Sequence, residues 1–273
     1  MRIGFVGTGS MGRVLIEAFI ASKAAHPTQI IASNRTPAKV EELAHKHSGL
    51  IVAQDNQEVA RNADILFLCV KPFEYKQALA EFAHELTPQH CLVTITSPVT
   101  LRELEELVPC QVIRAVPSIT NAALSGITLL EYGTTATPEA REAVLSLLAK
   151  ISRPIEVEEK FLRIASDISS CGPAFLSYIL QQMIQAAEEE IGLSKETATF
   201  LTTQMVIGFA GLLGKELFTL PTLQEKVCVP GGITGEGLIA LQKGIPGVFN
   251  EVFQRTHAKF AEDLHEVSKH LLG

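Results

Sequence analysis

A glycine-rich segment within the first dozen residues constrains this chain more than any other feature. Residues 2–6, RIGFV, form a short apolar run, and Gly7-Thr8-Gly9-Ser10-Met11-Gly12 follows at once. Helical periodicity over 13–22, through Val14, Leu15, Ala18 and Phe19, comes next. The spacing G-x-G-x-x-G is weak by itself, but between a strand and a helix it reads as a dinucleotide-binding turn. Gly7 permits the tight turn, Gly9 lets the backbone approach a pyrophosphate, and Gly12 lets helix and strand pack closely. The phosphates then sit on unpaired amides at the helix N-terminus, so Thr8, Ser10 and Met11 count with the glycines as cofactor-binding residues. The alternative is the same turn with no ligand.

The end of the second strand decides which dinucleotide fits. An NAD site places Asp or Glu there to accept from the ribose 2′-hydroxyl. This sequence has Ser33-Asn34-Arg35-Thr36 instead. A carboxylate would repel a 2′-phosphate, whereas the fork of Arg35, with Ser33 and Asn34 beside it, would bind one. NADP, with NADPH preferred over NADH, is therefore the expected cofactor; a solvated Arg35 is the plain alternative. Val70-Lys71-Pro72, Thr96-Ser97-Pro98 and Val116-Pro117-Ser118 each close a strand-like run. Open α/β sheets bind ligands at such strand ends. Val70, Lys71 and Pro72 are assigned to the cofactor, with Lys71 either a general acid or a surface charge.

The first half of the chain repeats this alternation. Strand-like runs at 29–33, 50–53, 65–70, 92–96, 111–115 and 127–132 are separated by helical or polar stretches, as in βαβ units around a parallel sheet. The chain is 47% hydrophobic with no Trp, so its apolar content is mostly aliphatic, as strands buried on both faces require. After about residue 158 the strand signal stops. Residues 174–192, 195–218 and 248–271 are long and apolar at helical spacing. The expected architecture is a mostly parallel α/β Rossmann domain over 1–158, followed by an all-α domain over 159–273. Gly208, Gly211 and Gly214 each cost about 1 kcal/mol against Ala inside a helix, which close helix approach would offset. That helix and the apolar stripe over 249–271 point to a homodimer or a higher oligomer of dimers.

Two motifs stand out in the helical half. Ser169-Ser170-Cys171-Gly172-Pro173-Ala174 precedes a long apolar helix, with Pro173 at a first helical position and Ser170 or Cys171 as cap. It is either a helix start or a set of small side chains and free amides against a ligand. Val229-Pro230-Gly231-Gly232-Ile233-Thr234-Gly235 leads into another helix pattern. Its amides would form a cup for a small carboxylate, with Thr234 adding a hydroxyl; a permissive turn is the alternative.

Other classes are excluded or disfavoured. A net charge of −7 argues against a nucleic-acid partner. The five cysteines are scattered with no C-x-x-C, which disfavours a disulfide framework and a zinc site, so no metal is expected. No stretch is expected to span a membrane, and the glycine-broken N-terminus is too short for a signal peptide. The cytoplasm is the expected location.

Taken in order, GTGSMG, SNR, CVKP, VIRAVP, CGPA and PGGIT resemble the pyrroline-5-carboxylate reductases over essentially the whole chain. TITSPV, PSITN, SCGPAF and TLPTLQEKVCV resemble, within that family, the branch encoded with late-competence genes. The resemblance implies a Rossmann domain that binds NAD(P)H, a helical domain that forms an intertwined dimer, and reduction of 1-pyrroline-5-carboxylate to L-proline. It places the substrate carboxylate on Gly231 and Gly232 and the ring nitrogen near Thr234, the catalytic residue, with Cys171 and Ile233 also in the substrate site.

The carry-over is partial. The first Thr of the family's P-G-G-T-T is Ile233, the Ser before its Pro is Val229, and the second Ser of S-G-S-G-P-A is Cys171. The family's M-P-N-T-P is Val116-Pro117-Ser118-Ile119-Thr120, so an Asn amide and a Pro are lost. Dinucleotide binding survives these departures better than turnover does. A non-catalytic NADP-binding regulatory protein of the same fold is therefore the rival reading. A 3-hydroxyacid dehydrogenase is disfavoured, because its acid/base Lys has no counterpart within Ile164–Glu190.

Overall fold

The computed structural model describes residues 1–272. The described chain forms two compact units: Met1–Pro173 together with the chain from Thr256 onward, and Ala174–Arg255. The first is built on one eight-stranded sheet. Its strands are β1 (Ile3–Val6), β2 (Ile30–Ser33), β3 (Ile51–Val52), β4 (Ile65–Leu68), β5 (Cys91–Thr94), β6 (Gln111–Val116), β7 (Ile127–Tyr132) and β8 (Arg153–Glu156). The order is β3-β2-β1-β4-β5-β6-β7-β8. All neighbours are parallel except β6 and β7. A mostly parallel Rossmann-type sheet was expected; β8, an edge strand, was not.

The interior strands β1, β2, β4 and β5 are buried at every residue, as the unbroken apolar runs require. Helices α1 (Ser10–Ala21), α2 (Ala38–Lys46), α3 (Asn56–Asn62), α4 (Tyr75–Phe82), α5 (Leu101–Leu107) and α6 (Pro138–Leu148) connect them. Two apolar layers result, one on each face. On one face Phe5 stacks on Phe67 at 5.2 Å between ring centres, with Phe19 of α1 inclined to both. β1 sits between β2 and β4, so the crossovers leave it in opposite directions and a crevice opens at its C-terminal end.

The remaining helices are α7 (Glu159–Ser166), α8 (Gly172–Ile191), α9 (Lys195–Gly214), α10 (Leu220–Val227), α11 (Ile233–Gly244) and α12 (Val248–Leu272). The expected boundary at 158/159 falls between β8 and α7. Leu162 of α7 nevertheless packs with Val116 and Leu129, and Val267 and Leu271 of α12 join the apolar layer that contains Leu101 and Leu104. These contacts put α7 and the last part of α12 in the sheet's unit.

In the second unit α9 ends at Gly214, four residues before the sequence pattern does, where Lys215 caps it and Glu216 takes φ +54°. A Cβ added at Gly208, Gly211 or Gly214 would meet no atom within 4 Å. The close approach expected there is therefore not made within the described chain. By length and composition α9 could cross a membrane, contrary to the sequence expectation. Exposed Tyr178, Phe200, Leu201 and Ile207 on α8 and α9 show how little of this unit's apolar surface is covered by its own chain.

Candidate functional site: a crevice at the glycine turn

The C-terminal ends of β1, β2 and β4 frame a cavity of about 530 Å³. Gly7 and Gly9 line it from the glycine turn, Ser33, Asn34, Arg35 and Thr36 from the end of β2, and Cys69, Val70 and Lys71 from the end of β4. Each glycine acts through a different constraint. Gly7 has φ +94°, and a Cβ there would come 2.8 Å from the Cys69 carbonyl oxygen. A Cβ at Gly12 would strike the Gly7 carbonyl oxygen at 2.5 Å, so only glycine lets α1 pack this closely on the turn. At Gly9 an added Cβ would meet nothing within 4 Å, because that face looks into open space.

Gly9 is also the N-cap of α1, and no side chain caps the helix or adds negative charge to its first turn. Uncapped amides at the positive end of a helix dipole suit an anion. The Thr8 hydroxyl oxygen is buried with no hydrogen-bond partner among the described residues. The open Gly9 face, the uncapped turn and this orphaned hydroxyl together fit a dinucleotide pyrophosphate. Thr8, Ser10, Met11, Gly12 and Pro72 build the turn or its surroundings without lining the cavity itself.

At the end of β2 the expected donors divide their work. The Thr8 amide donates to Asn34 Oδ1 at 3.1 Å, and the Asn34 side-chain nitrogen donates to the Thr36 carbonyl at 3.1 Å. Asn34 thus fastens the glycine turn to β2. The Ser33 hydroxyl is buried and donates to Asn56 Oδ1 at 2.6 Å. Arg35, 83% exposed, reaches over the cavity and pairs with Glu74 at 3.1 Å. Lys39, on α2, lines the same end; the motif reading missed it because it lies beyond the strand end that the fingerprint covers.

Beyond β4, Cys69 borders the cavity and Tyr75 is buried behind it. Burial pushes the Cys69 thiol and the Tyr75 hydroxyl well above their ordinary pKa values, so both stay protonated. Tyr75 bonds the Leu68 carbonyl at 3.2 Å and Thr94 Oγ1 at 2.7 Å, tying β4 to β5. Cys91 and Cys110 are core residues, pushed up to about 12 by burial.

Arg114 on β6 is 1% exposed. It donates to Glu131 at 2.5 Å and to the Val99 carbonyl, fixing the segment after Thr96-Ser97-Pro98. Burial lowers the Arg114 pKa and raises that of Glu131. A charged residue amid the apolar run VIRAV was the signal for this buried pair.

The motif at 169–174 differs from expectation. It does not start a helix, because Asp167–Cys171 form a π-turn that runs from α7 directly into α8. Pro173 has no N–H to offer the Ser169 carbonyl four residues back. The Ser118 hydroxyl, fully buried, supplies that hydrogen at 2.8 Å, and Ser170 donates to the Pro117 carbonyl at 3.0 Å. Ser118 stands where the Asn of the resembled motif would be, and its hydroxyl is spent on this joint. Val116 beside it is buried, whereas Ile119 is exposed. The Cys171 sulfur accepts from Arg163 at 3.4 Å, and Arg163 also holds buried Asp167 at 2.8 Å. Asp167 takes a further hydrogen bond from Thr256 at 2.7 Å.

In the second unit Gly232 is the N-cap of α11, again without a side-chain cap. Gly231 has φ +74°, and a Cβ at Gly232 would come 2.9 Å from the Val229 side chain. Val229 and Thr234 are exposed, and Ile233 is 93% exposed.

Two family models match: pyrroline-5-carboxylate reductase dimerisation over residues 159–263, and NADP oxidoreductase coenzyme F420-dependent over residues 2–98. ComE operon protein 4 of Bacillus subtilis (strain 168) is 45% identical over 98% of both chains. Pyrroline-5-carboxylate reductase of Escherichia coli (strain K12) is 30% identical, over 89% of this chain and 90% of that one. A solved pyrroline-5-carboxylate reductase from Coxiella burnetii superposes with a TM-score of 0.83 at 27% identity, covering 98% of each chain.

Proposed function

Because the chain belongs to the pyrroline-5-carboxylate reductase family, we propose that it reduces a cyclic imino acid, 1-pyrroline-5-carboxylate, to L-proline with NADPH. The observation that carries this reading is the crevice at the glycine turn. It has an open Gly9 face, an uncapped α1, and Arg35 with Lys39 at the end of β2 where an NAD site would carry a carboxylate. NADPH supplies the hydride. The first turn of α1 and the Thr8 hydroxyl bind its pyrophosphate, and Arg35 binds the 2′-phosphate.

The chemistry asks little of side chains. A protonated C=N is already electrophilic, so the protein must align the reacting atoms and keep water out. Amides of Gly231, Gly232, Ile233 and Thr234 at the uncapped start of α11 hold the substrate carboxylate without a cation. The Thr234 hydroxyl holds the ring nitrogen and its proton, and Cys171 borders the substrate. The protein acts as a homodimer through the apolar faces of α8 and α9, or as an oligomer of such dimers, in the cytoplasm and not in a membrane. Light scattering that shows a monomer at micromolar concentration would overturn the dimer.

A second reading keeps the cofactor and drops the turnover. Val229 and Ile233 present apolar groups beside the carboxylate cup, the Ser118 hydroxyl is consumed by the Ser169 carbonyl, and the relative of 45% identity bears a ComE operon name. The protein would then be an NADP-binding regulator linked to late competence. Oxidation of NADPH with 1-pyrroline-5-carboxylate decides. Turnover above blank supports the reductase; NADPH binding without turnover supports the regulator. Activity created by Ile233→Thr with Cys171→Ser and Val229→Ser would mark a retired site.

A further inference from the structure

Among the described residues, Glu74 is the acidic side chain that pairs with Arg35, the group assigned to the cofactor's 2′ position. It ends the short turn Pro72–Glu74 that follows β4. Its two carboxylate oxygens do different work. Oε2 accepts from the Lys71 amide at 3.2 Å, which anchors the side chain to its own turn. Oε1 faces across the cavity and accepts from Arg35 Nη1 at 3.1 Å. Glu74 is about one-third exposed, while Arg35 is largely in solvent. The carboxylate is thus the better anchored member of the pair, and the guanidinium the more exposed one.

Both residues line the same cavity, together with Lys39 and Lys71. A dianionic 2′-phosphate and the Glu74 carboxylate therefore compete for one guanidinium. The like charge of Glu74 also opposes the phosphate directly. A ribose 2′-hydroxyl meets the opposite situation. It carries no charge, and it can donate to a carboxylate in the way the acidic residue of an NAD site accepts it.

We propose that Glu74 is a specificity-determining residue that weakens the preference for NADPH over NADH, by holding Arg35 in the absence of a 2′-phosphate and by offering a carboxylate to a free 2′-hydroxyl. The inference rests on the dinucleotide reading given under the proposed function. It concerns only the choice between two nicotinamide dinucleotides, and it holds whether or not the bound cofactor is turned over. A glutamate here leaves the chain able to draw on either pool, with Arg35 favouring one and Glu74 restraining that preference.

The test is direct binding of NADPH and of NADH, by nucleotide fluorescence or calorimetry, to the full chain and to Glu74→Gln, Glu74→Asp and Arg35→Ala. Glutamine keeps an oxygen for the Lys71 amide, so the turn stays capped while the charge is gone. Glu74→Gln is expected to raise the NADPH-to-NADH affinity ratio about fivefold to tenfold, the size of one partly solvated like-charge contact. The increase should shrink as salt rises from roughly 0.02 to 0.5 M, because the contact is exposed enough to be screened. A merely structural role would lower both affinities together and would leave the ratio equal to that of the unaltered protein at every salt concentration. Glu74→Asp, which restores the charge, should return the ratio toward that of the unaltered protein. An unchanged or lowered ratio in Glu74→Gln, with both dinucleotides still bound, overturns this inference and leaves the cofactor reading standing. Failure of the unaltered chain to bind either dinucleotide overturns both.

Discussion

The cofactor assignment meets its sharpest test in two single-methyl substitutions, Gly9→Ala and Gly12→Ala, which differ in what the methyl would touch. Gly9 has φ −67° and ψ −166°, ordinary extended backbone, and its added Cβ meets nothing within 4 Å. Alanine there meets no atom and stiffens the unfolded chain, worth about 0.4–1 kcal/mol, but it is a poorer N-cap than glycine by a similar amount, so stability should stay within about 1 kcal/mol. The same methyl occupies the space in which a pyrophosphate must reach the amides of α1. At Gly12 the Cβ would lie 2.5 Å from the Gly7 carbonyl oxygen and 3.1 Å from the Cys69 Cβ. Ordinary contact begins at 3.4 Å, so α1 must retreat by 3.4 − 2.5, about 0.9 Å. Overpacking of that kind costs about 1–3 kcal/mol, offset by about 1 kcal/mol from the better helix propensity of alanine. Urea melts without ligand should therefore show Gly9→Ala within about 1 kcal/mol of the unaltered protein and Gly12→Ala lower by up to about 2 kcal/mol. Fluorescence titration with NADPH should show both weakened at least tenfold, about 1.4 kcal/mol. Binding of NADPH by Gly9→Ala within twofold of the unaltered protein would refute the reasoning, because the added methyl faces open space and touches no other part of the fold.

Arg35→Ala should weaken NADPH binding about tenfold to a hundredfold, the loss of a charge-assisted contact of about 1.5–3 kcal/mol, while NADH changes little; equal losses in parallel titrations would remove the 2′-phosphate role. Ser118→Ala deprives the Ser169 carbonyl of its donor inside the π-turn and should cost about 1–3 kcal/mol in a urea melt, whereas a neutral result would mean that water serves that carbonyl equally well. Glu103 governs part of the acid response. Burial alone would raise its carboxyl, but hydrogen bonds from Ser268 and Thr100, helped by Arg114, outweigh that and hold it below the usual carboxylate value. A depressed folded pKa gives stability that is present above the unfolded pKa and lost as pH falls through the folded one. Glu103→Gln should therefore be less stable than the unaltered chain near pH 7, and the gap should narrow steadily as pH falls through and below the ordinary carboxylate range. A gap that widens in acid would contradict the sign.

What the sequence disclosed is what local sterics encode. Gly7 and Gly12 each answer to a neighbour within the same strand–turn–helix or on the strand beside it, Gly9 answers to open space, and their spacing was enough to locate the crevice. The buried runs of β1, β4 and β5 were equally plain, because a strand covered on both faces leaves no polar alternation to misread. β8 left no such trace. Its residues, Arg153-Pro154-Ile155-Glu156, are mostly exposed at the sheet edge, and its place is fixed by pairing with β7 and not by an apolar pattern. The antiparallel turn of β7 was hidden for a related reason, since alternation along a strand carries no information on its direction.

The polar features of the site fail in the same way and for a stronger reason. Arg35 was legible as a cation at a strand end, yet its partner Glu74 lies 39 positions away on another crossover, and the chemistry of the pair differs from that of either charge alone. The segment at 169–174 is the clearest case. Proline after small polar residues marks a helix start wherever its missing N–H goes unneeded. Here the carbonyl that Pro173 leaves unserved is satisfied by Ser118, 51 residues earlier, so a continuous helical path through a π-turn becomes affordable. A local rule for proline gives the wrong element because the donor that overrides it is supplied by the sheet. The same donor occupies the position at which the resembled motif carries an amide. One long-range hydrogen bond thus corrects the secondary structure and at the same time defines where this chain's site departs from its relatives' motif.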